Sequence, residues 1–365
     1  MGAPVTRLPA AIGRIAIGIV VALSVFMMPR LAASETASTD SDTMVVRSEE
    51  GLSWYRHSFD VMGTRASVEL ASASHPLALD LERRVEAEMR RIETLMSPYI
   101  GTSALAAINR LAAGETQVVD AELFKVIDTA QWAATISRGA FDITFASAGF
   151  LYDYRNNIQP ADASLESVLP RVNYRDVVLD HNASSLSFRT RGMQIDLGGI
   201  AKGYAVDRSI DILRRAGIES ALVVAGGDSR VLGGRAVERS ATGEHTDIPW
   251  VVAIQHPRDE NSEVLRLPLR GEAISTSGDY QRYFIDTDGR RVHHILNPST
   301  GRSAALLASA SVIGPQSMVC DALSTAVFVL GVEEGLAMID TLPGYETFVV
   351  DLHGKVHYSG GLTAP

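Results

Sequence analysis

The sequence lacks the features on which several classes of protein depend. It has a single cysteine, Cys320, so no disulfide can form within the chain. It also lacks an excess of basic residues, because 33 Lys and Arg face 43 Asp and Glu and the formal net charge is −10. An acidic chain repels a phosphate backbone, so we expect no nucleic-acid partner. No internal repeat is present, which excludes solenoid and propeller architectures.

What the sequence does contain is the composition of a globular protein. Hydrophobic residues make up 46% and charged residues 21% of 365 residues, which is enough for a sizeable core. Helical and strand patterns alternate without a strict βαβ order, and this favours an α+β fold. The predicted helices are Leu77–Met96, Asp120–Arg138, Gly199–Ala216 and Gln316–Leu330, and the predicted strands include Thr64–Leu70, Ser185–Phe188, Met193–Leu197, Ala221–Ala225, Trp250–Gln255, Glu272–Thr276, Tyr280–Ile285 and Thr347–Leu352.

The first residues have the pattern of an export signal. Arg7 and Arg14 precede an apolar run, Ile15–Met28, and small residues follow. The run has about 14 residues, whereas a membrane span needs roughly 20. Residues 27–30, Met-Met-Pro-Arg, do not form a clean cleavage site, so an uncleaved N-terminal anchor is the alternative to a cleaved signal peptide.

The rest of the chain divides into a linker and one folded unit. Residues 35–53 are rich in Ser, Thr, Asp and Glu, a composition that cannot bury a core and is typical of a flexible polar linker. We therefore expect a signal peptide or anchor over residues 1–34, a linker over residues 35–53 and a single catalytic unit over residues 54–365. No other linker interrupts that unit.

One candidate site lies in the segment that begins at Asp196 and reads Asp-Leu-Gly-Gly-Ile-Ala-Lys-Gly. Its two glycines let the backbone approach a ligand closely, and the start of the following helix favours phosphate oxygens. Lys202 on the first turn adds a charged contact. The spacing fits neither a Walker A loop nor G-x-G-x-x-G, and an ordinary strand–turn–helix is the alternative.

A second candidate site lies on the last long helix. Asp321, Ser324 and Thr325 stand at positions i, i+3 and i+4, so their oxygens share one face. A carboxylate with hydroxyl groups suits a hard cation such as Mg²⁺. The alternative is that the hydroxyls bond their own helix and that Asp321 makes an ordinary polar contact.

A third candidate is the pair His293 and His294. Adjacent residues on a strand point to opposite faces, so only one of the two can face a given site. Zinc binding is disfavoured, since no second cluster of ligands with suitable spacing accompanies the pair. A buried structural histidine is the alternative.

The order of these strings along the chain resembles that of the FAD:protein FMN transferases, the ApbE family. The resemblance runs from about Phe59 to Leu352. The strings that carry it are Met62–Thr64, Met96–Tyr99, Ala140–Thr144, Asp196–Gly203, Gly226–Asp228, Thr276–Tyr280, His293–Gly301 and Asp321–Ala326. The chain departs from the family pattern at Phe145–Gly149, where the family has Val-Gly-Pro-Leu, so the shape of this loop is open.

The resemblance implies an α+β fold with a T-fold-like core and a Mg²⁺-dependent enzyme. In this family FAD is cleaved, FMN is attached by a phosphodiester bond to a Thr or Ser hydroxyl of an acceptor protein, and AMP is released. The resemblance places the metal on Asp321, Thr325 and the carbonyl of Gly199, with Ser324 nearby. It makes His294 our candidate general base. The positions that match the FAD site are Met62, Tyr99, Ala140, Phe141, Asp142, Asp196, Lys202 and Ile295.

The resemblance also implies a partner and a location. The expected acceptor is an exported electron-transfer flavoprotein, and the expected location is the periplasm or the periplasmic side of the inner membrane, with a membrane tether through the N-terminal segment as an option. Two other functions stay open at this point. One is a Mg²⁺-dependent FAD pyrophosphatase that gives FMN and AMP, and the other is a non-catalytic periplasmic flavin-binding protein.

Overall fold

A computed structural model describes residues 44–47, 52–239 and 245–362. The predicted leader and most of the predicted linker lie outside these ranges. Residues 44–47, inside the range predicted as linker, form a strand that pairs with the strand Ser53–Val61.

The described ranges contain seven α-helices, several of them with recognisable caps. Ser74 caps the first helix, and its hydroxyl accepts the amide of Leu77. Asp120 caps the third in the same way through the amide of Glu122, as its sequence predicts. The helices are α1 His75–Met96, α2 Ala104–Leu111, α3 Ala121–Ile136, α4 Ala146–Gly149, α5 Asp162–Val168, α6 Ala201–Arg215 and α7 Ser317–Asp340.

Twenty strands occur in the same ranges. They are β1 Met44–Arg47, β2 Ser53–Val61, β3 Thr64–Ser72, β4 Gln117–Val118, β5 Val177–Asp180, β6 Ser185–Phe188, β7 Ala221–Ala225, β8 Asp228–Leu232, β9 Ala236–Arg239, β10 His245–Ile248, β11 Trp250–His256, β12 Asp259–Leu269, β13 Ala273–Gly278, β14 Tyr283–Ile285, β15 Arg291–His293, β16 Leu296–Asn297, β17 Arg302–Ser303, β18 Leu307–Gly314, β19 Glu346–Asp351 and β20 Val356–Tyr358.

Nine of these strands form the central sheet, in the order β1-β2-β3-β7-β8-β13-β18-β19-β20, with every neighbouring pair antiparallel. Helices α1, α6 and α7 pack side by side on one face. The hairpin β11–β12 covers the other face, where Trp250 and Leu267 join one apolar cluster with Ile274 and Phe348 of the sheet. The α+β class predicted from the sequence is confirmed.

Helix α7 is the central buried element. It is long and apolar enough to cross a membrane by length and composition, but most of its residues are buried against the sheet and α6. Gly331 interrupts it with φ 81° and ψ −168°, a backbone conformation that glycine adopts without strain. The sequence predicts an end at Leu330, and the helical segment resumes after the break and ends at Asp340.

The strand predicted over Met193–Leu197 is wrong. These residues have no regular secondary structure, because groups other than a neighbouring strand bind their backbone. The side-chain amide of Asn109 accepts the Ile195 N–H at 2.8 Å and donates to the Ile195 carbonyl at 2.9 Å. The Ser147 hydroxyl accepts the Gln194 N–H at 3.0 Å. Burial alternates along these residues as their apolar pattern predicts, but they have no strand partner.

Candidate functional site

The centre of the site is a buried ion cluster between α6, α7 and the sheet. The Lys202 ammonium lies 3.1 Å from a carboxylate oxygen of Asp321 and 3.1 Å from one of Asp228. Both carboxylates are almost inaccessible, at 3% and 1% exposure. The Gly203 amide also donates to Asp321, at 3.1 Å. The predicted positions Lys202 and Asp321 are thus brought together, and Asp228 joins them.

Asp228 stands in the Gly-Gly-Asp string, and no role was predicted for it. It begins β8 directly after the turn made by Gly226, whose φ is +61°. The Ser275 hydroxyl donates to its second oxygen. The signal that could have found it is an aspartate that follows the apolar strand Ala221–Ala225 after a Gly-Gly turn.

The hydroxyl face of α7 meets the end of β13. The Ser277 hydroxyl lies 2.9 Å from that of Ser324 and 3.2 Å from that of Thr325. Gly199 is next to the same face, since a Cβ atom placed on it would lie 3.4 Å from the Thr325 hydroxyl. Ser324 also donates to the Asp321 carbonyl at 3.0 Å, so the bond to its own helix considered from the sequence exists as well.

The electrostatics of this cluster favour a cation. Burial first, and then the Asp228 carboxylate, raise the pKa of Asp321 to about 7, although Lys202 acts in the opposite direction. Two carboxylates share one ammonium group, so the cluster carries a net negative charge once both are ionised. In the described ranges no three His, Cys, Asp or Glu side chains form a metal cluster. The oxygen donors present are a carboxylate, a hydroxyl and a backbone carbonyl, and this set fits Mg²⁺.

The string Ala140–Thr144 lies beside the Gly199 turn. The buried ring of Phe141 would be 3.2 Å from a Cβ atom on Gly199, so the ring limits this turn from one side. Asp142 is also buried, and burial raises its pKa. Its carboxylate accepts the Thr144 amide at 2.8 Å and the Tyr174 amide at 2.9 Å. Asp142 therefore holds its own loop, and Ala140 packs partly buried against the α7 core.

The two histidines have different environments. His293 is 2% exposed, its Nε2–H donates to the Ala304 carbonyl at 2.7 Å and its ring packs on the edge of Phe328. His294 is partly exposed, and its Nδ1–H donates to the Arg282 carbonyl at 3.4 Å, which leaves Nε2 as the acceptor. Burial of the His294 ring is the largest cause that lowers its pKa to about 3, and the charge of Arg282 adds to it. The neighbouring Ile295 is buried in the core.

The remaining predicted positions lie along the open side of the site. Met62 is in a left-handed turn with φ 52°, and its amide donates to Glu93 at 2.8 Å. The Asp196 carboxylate accepts the Gly198 amide at 2.6 Å, and burial raises its pKa. The charges of Lys202 and Arg282 act on both Asp196 and His294, which places these groups in one site.

Tyr99 borders a cavity of about 300 Å³ with an aromatic lining. It is 80% exposed, and its ring meets the edge of the Phe150 ring at 5.9 Å. In the segment 145–149, which departs from the family pattern, residues 146–149 form α4, and Gly149 supplies part of the wall. The lining residues are Pro98, Tyr99, Gly149, Phe150, Tyr152, Tyr154 and Gln194.

Comparison with known proteins identifies the family. Residues 62–349 match the model of the ApbE family. The chain is 33% identical over 284 residues to the FAD:protein FMN transferase of Treponema pallidum, covering 75% of this chain and 78% of that protein. It is 31% identical over 289 residues to a Klebsiella pneumoniae protein of the same name, covering 78% and 85%.

Solved structures show the same fold. The ApbE protein of Thermotoga maritima superimposes with a TM-score of 0.74 at 32% identity, covering 84% of this chain and 97% of that one. The Vibrio cholerae flavin transferase ApbE gives a TM-score of 0.72 at 26% identity, covering 85% and 98%. The family match spans most of the chain, and the fold and the order of the site strings agree with it, so the protein belongs to the ApbE family.

Proposed function

We propose that this chain is a Mg²⁺-dependent FAD:protein FMN transferase, which cleaves FAD, attaches FMN to a Thr or Ser hydroxyl of an acceptor protein and releases AMP. One observation supports this most strongly. The face formed by Asp321, Thr325 and the Gly199 turn, which suits a hard cation, lies in the same site as a neutral histidine with a free acceptor nitrogen. A diphosphate between them would have a cation on one side to neutralise its negative charge and a general base on the other.

The metal would be held by the Asp321 carboxylate, the Thr325 hydroxyl and the Gly199 carbonyl. When bound, Mg²⁺ supplies neutralisation of charge on the diphosphate. The protein positions these oxygen ligands before the metal binds. Gly203 and Lys202 hold the Asp321 carboxylate, and Ser277 holds the Thr325 hydroxyl. Transfer of a phosphoryl-type group depends mainly on such positioning and on charge stabilisation.

His294 would accept the proton of the attacking hydroxyl. The Arg282 carbonyl fixes the tautomer that leaves Nε2 unprotonated, and the low pKa keeps the ring neutral. The isoalloxazine would occupy the aromatic cavity beside Tyr99, whose volume and lining suit a flat ring. A flavin store without turnover would need neither the base nor the cation face.

The experiment is incubation of the full chain with FAD, Mg²⁺ and candidate acceptor proteins, followed by the intact mass of each acceptor. We expect a gain of one FMN, with AMP in equal amount. Asp321→Ala and EDTA should each abolish the gain, while FAD still binds weakly. Glu334→Gln is the matched control, an exposed carboxylate on the same helix, and should keep full activity. FMN and AMP released without acceptor labelling would indicate a pyrophosphatase, and full activity in EDTA would exclude the metal.

We also propose that the chain acts outside the cytoplasm, in the periplasm or at the periplasmic side of the inner membrane, on an exported electron-transfer flavoprotein. Support comes from the Arg7 and Arg14 region followed by the apolar run Ile15–Met28. Cell fractionation tests this, and a variant without residues 1–34 is the control that should stay in the cytoplasm. Full-length chain in the soluble cytoplasmic fraction would contradict the proposal.

A further inference from the structure

Arg282 is a cation at the site to which neither the sequence nor the family resemblance gave a role. It follows β13, three residues after Asp279. Its guanidinium donates to the Gly63 carbonyl at 2.5 Å. In the part of the chain that the structure describes, Arg282 has no carboxylate partner. The nearby Asp279 is already occupied by two bonds from Arg258, at 2.6 and 2.7 Å.

The surroundings of Arg282 connect it to the reaction centre. Its backbone carbonyl accepts the His294 N–H at 3.3 Å and the His294 ring N–H at 3.4 Å. Its side chain reaches across the site to the turn of Met62 and Gly63, which Glu93 holds from the other side. Its charge also acts on Asp196 and on the Tyr99 hydroxyl, so it lies within electrostatic reach of the predicted FAD positions.

The chemistry of this group suits a phosphate. A guanidinium has five N–H donors, and the Gly63 carbonyl uses one of its terminal nitrogens, so several donors remain. Arginine without a carboxylate partner favours the paired oxygens of a phosphate. The other cation of the site, Lys202, already lies between Asp321 and Asp228. Of these two cations, Arg282 is therefore the one that is available for the substrate.

We infer that Arg282 binds the phosphate of FAD that stays with riboflavin and is transferred, on the His294 side of the diphosphate. This rests on the proposed function. In the transfer step the acceptor oxygen forms a bond to that phosphorus, its proton goes to His294, and the P–O bond to the AMP phosphate breaks, with the electron pair leaving on AMP. Arg282 holds the non-bridging oxygens of the transferred phosphate while negative charge shifts to the leaving group.

Binding of four ligands to the full chain in EDTA, where no turnover occurs, tests this. The ligands are FAD, FMN, AMP and riboflavin, measured by calorimetry on wild type, Arg282→Gln and Arg282→Lys. We expect Arg282→Gln to weaken the binding of FAD and of FMN about 10- to 100-fold, which is the usual effect of losing a charged hydrogen bond. The affinities for riboflavin and AMP should change less than about twofold. Arg282→Lys should recover part of the lost FAD and FMN affinity because it keeps the positive charge.

The matched control is Arg290→Gln, an exposed arginine in the turn between β14 and β15 that should leave all four affinities unchanged. Equal weakening of riboflavin and FMN by Arg282→Gln would mean that Arg282 only shapes the Met62 turn, and this would overturn the inference. So would loss of AMP rather than FMN affinity, or no change at all. These outcomes leave the proposed function standing, whereas a wild-type chain that binds no FAD even with Mg²⁺ would refute both.

Discussion

At the scale of single residues, the two histidines show how strongly the environment separates identical side chains. The Nε2 of His293 is used in a bond to the Ala304 carbonyl beneath the Phe328 ring, while His294 has a free acceptor nitrogen on the open side. The opposite directions expected from a strand are present, although β15 ends at His293.

The first prediction concerns this pair. His294→Ala should lower turnover at saturating FAD and acceptor by about 10²–10⁴-fold, the usual contribution of a general base. His293→Ala should keep most of the turnover per folded molecule but unfold at a lower temperature, since it leaves a buried space beside Phe328. Turnover and thermal unfolding of both variants check this. If excess FAD restored the rate of His294→Ala, His294 would be a pocket residue instead.

The second prediction concerns pH. A lowered pKa keeps a histidine neutral, and at about 3 His294 is in its base form at every pH above roughly 5. The transfer rate at saturating Mg²⁺ should therefore not follow a histidine titration between pH 6 and 8. Single-turnover rates across this range test it. A tenfold rise per pH unit near 6.5 that disappears in His294→Ala would show that the ring titrates normally.

The residue-level prediction from sequence succeeds where the groups are near each other in the chain. The shared face of Asp321 and Thr325 follows from helical spacing, and the structure shows it. Lys202 was predicted as a contact of FAD, and this stays a prediction; its ammonium lies between two carboxylates, which no local pattern indicated. Asp228 and Arg282 were given no role. Their partners are distant in sequence, and no local pattern indicates which buried charges meet across a sheet.

At the scale of elements, the contact between α6 and α7 sets the position of the cation face. Gly203 lets the two helices approach closely, because a Cβ atom there would lie 2.3 Å from the Ser317 carbonyl oxygen. Asp207 on α6 then accepts the first amides of α7, those of Ser317 at 3.0 Å and Met318 at 2.9 Å. Arg230 holds Asp207 at 2.6 Å. The position of Asp321 is thus set by the packing of α7 against α6.

The third prediction follows from this contact. Gly203→Ala should push the helices apart, lower the free energy of unfolding by about 1–3 kcal/mol and reduce metal-dependent activity, because Asp321 would move from its partners. Denaturant unfolding and Mg²⁺ titration of the transfer rate measure both effects. Gly271→Ala is the control, since a Cβ atom there meets nothing within 4 Å. Equal free energies of unfolding and equal Mg²⁺ titrations for the two variants would contradict the prediction, because they would show that α6 and α7 accommodate the added methyl group.

Elements were predicted well where local signals mark both ends. The cap Asp120 and the strands Ser185–Phe188 and Ala221–Ala225 are examples. Two errors have physical causes that the local sequence does not reveal. Met193–Leu197 bonds to side chains of Asn109 and Ser147 instead of a strand. Helix α7 resumes beyond Gly331, a residue that normally marks a helix end.

At the scale of the whole molecule, the sheet joins distant parts of the chain. β19 lies in its interior between β18 and β20, with four consecutive buried residues, although it contains no predicted site residue. Phe348 and Val349 of this strand reach the cores on the two faces of the sheet. The C-terminal strands are therefore part of the frame that holds β13 and α7.

The fourth prediction tests this frame. Deleting residues 346–365 should abolish cooperative unfolding and activity together, since it exposes the edge of β18 and removes Val349 and Phe348 from the cores on the two faces of the sheet. Deleting residues 1–43 should preserve both in a purified protein. Circular dichroism on heating and acceptor labelling compare the two. Activity in the C-terminally shortened chain would show that β19 and β20 are dispensable.

The long separation between the parts of the site also affects when the protein can acquire its substrate. The turn of Met62 and Gly63 stands near the start of the described chain, whereas Thr325 belongs to α7, more than two hundred residues later. A nascent chain that has not yet released α7 from the ribosome has no place for a diphosphate. If the chain then crosses a membrane unfolded, it arrives without bound flavin. Under the proposed export, FAD would then be supplied at the destination, where α7 packs against α6 and the central sheet.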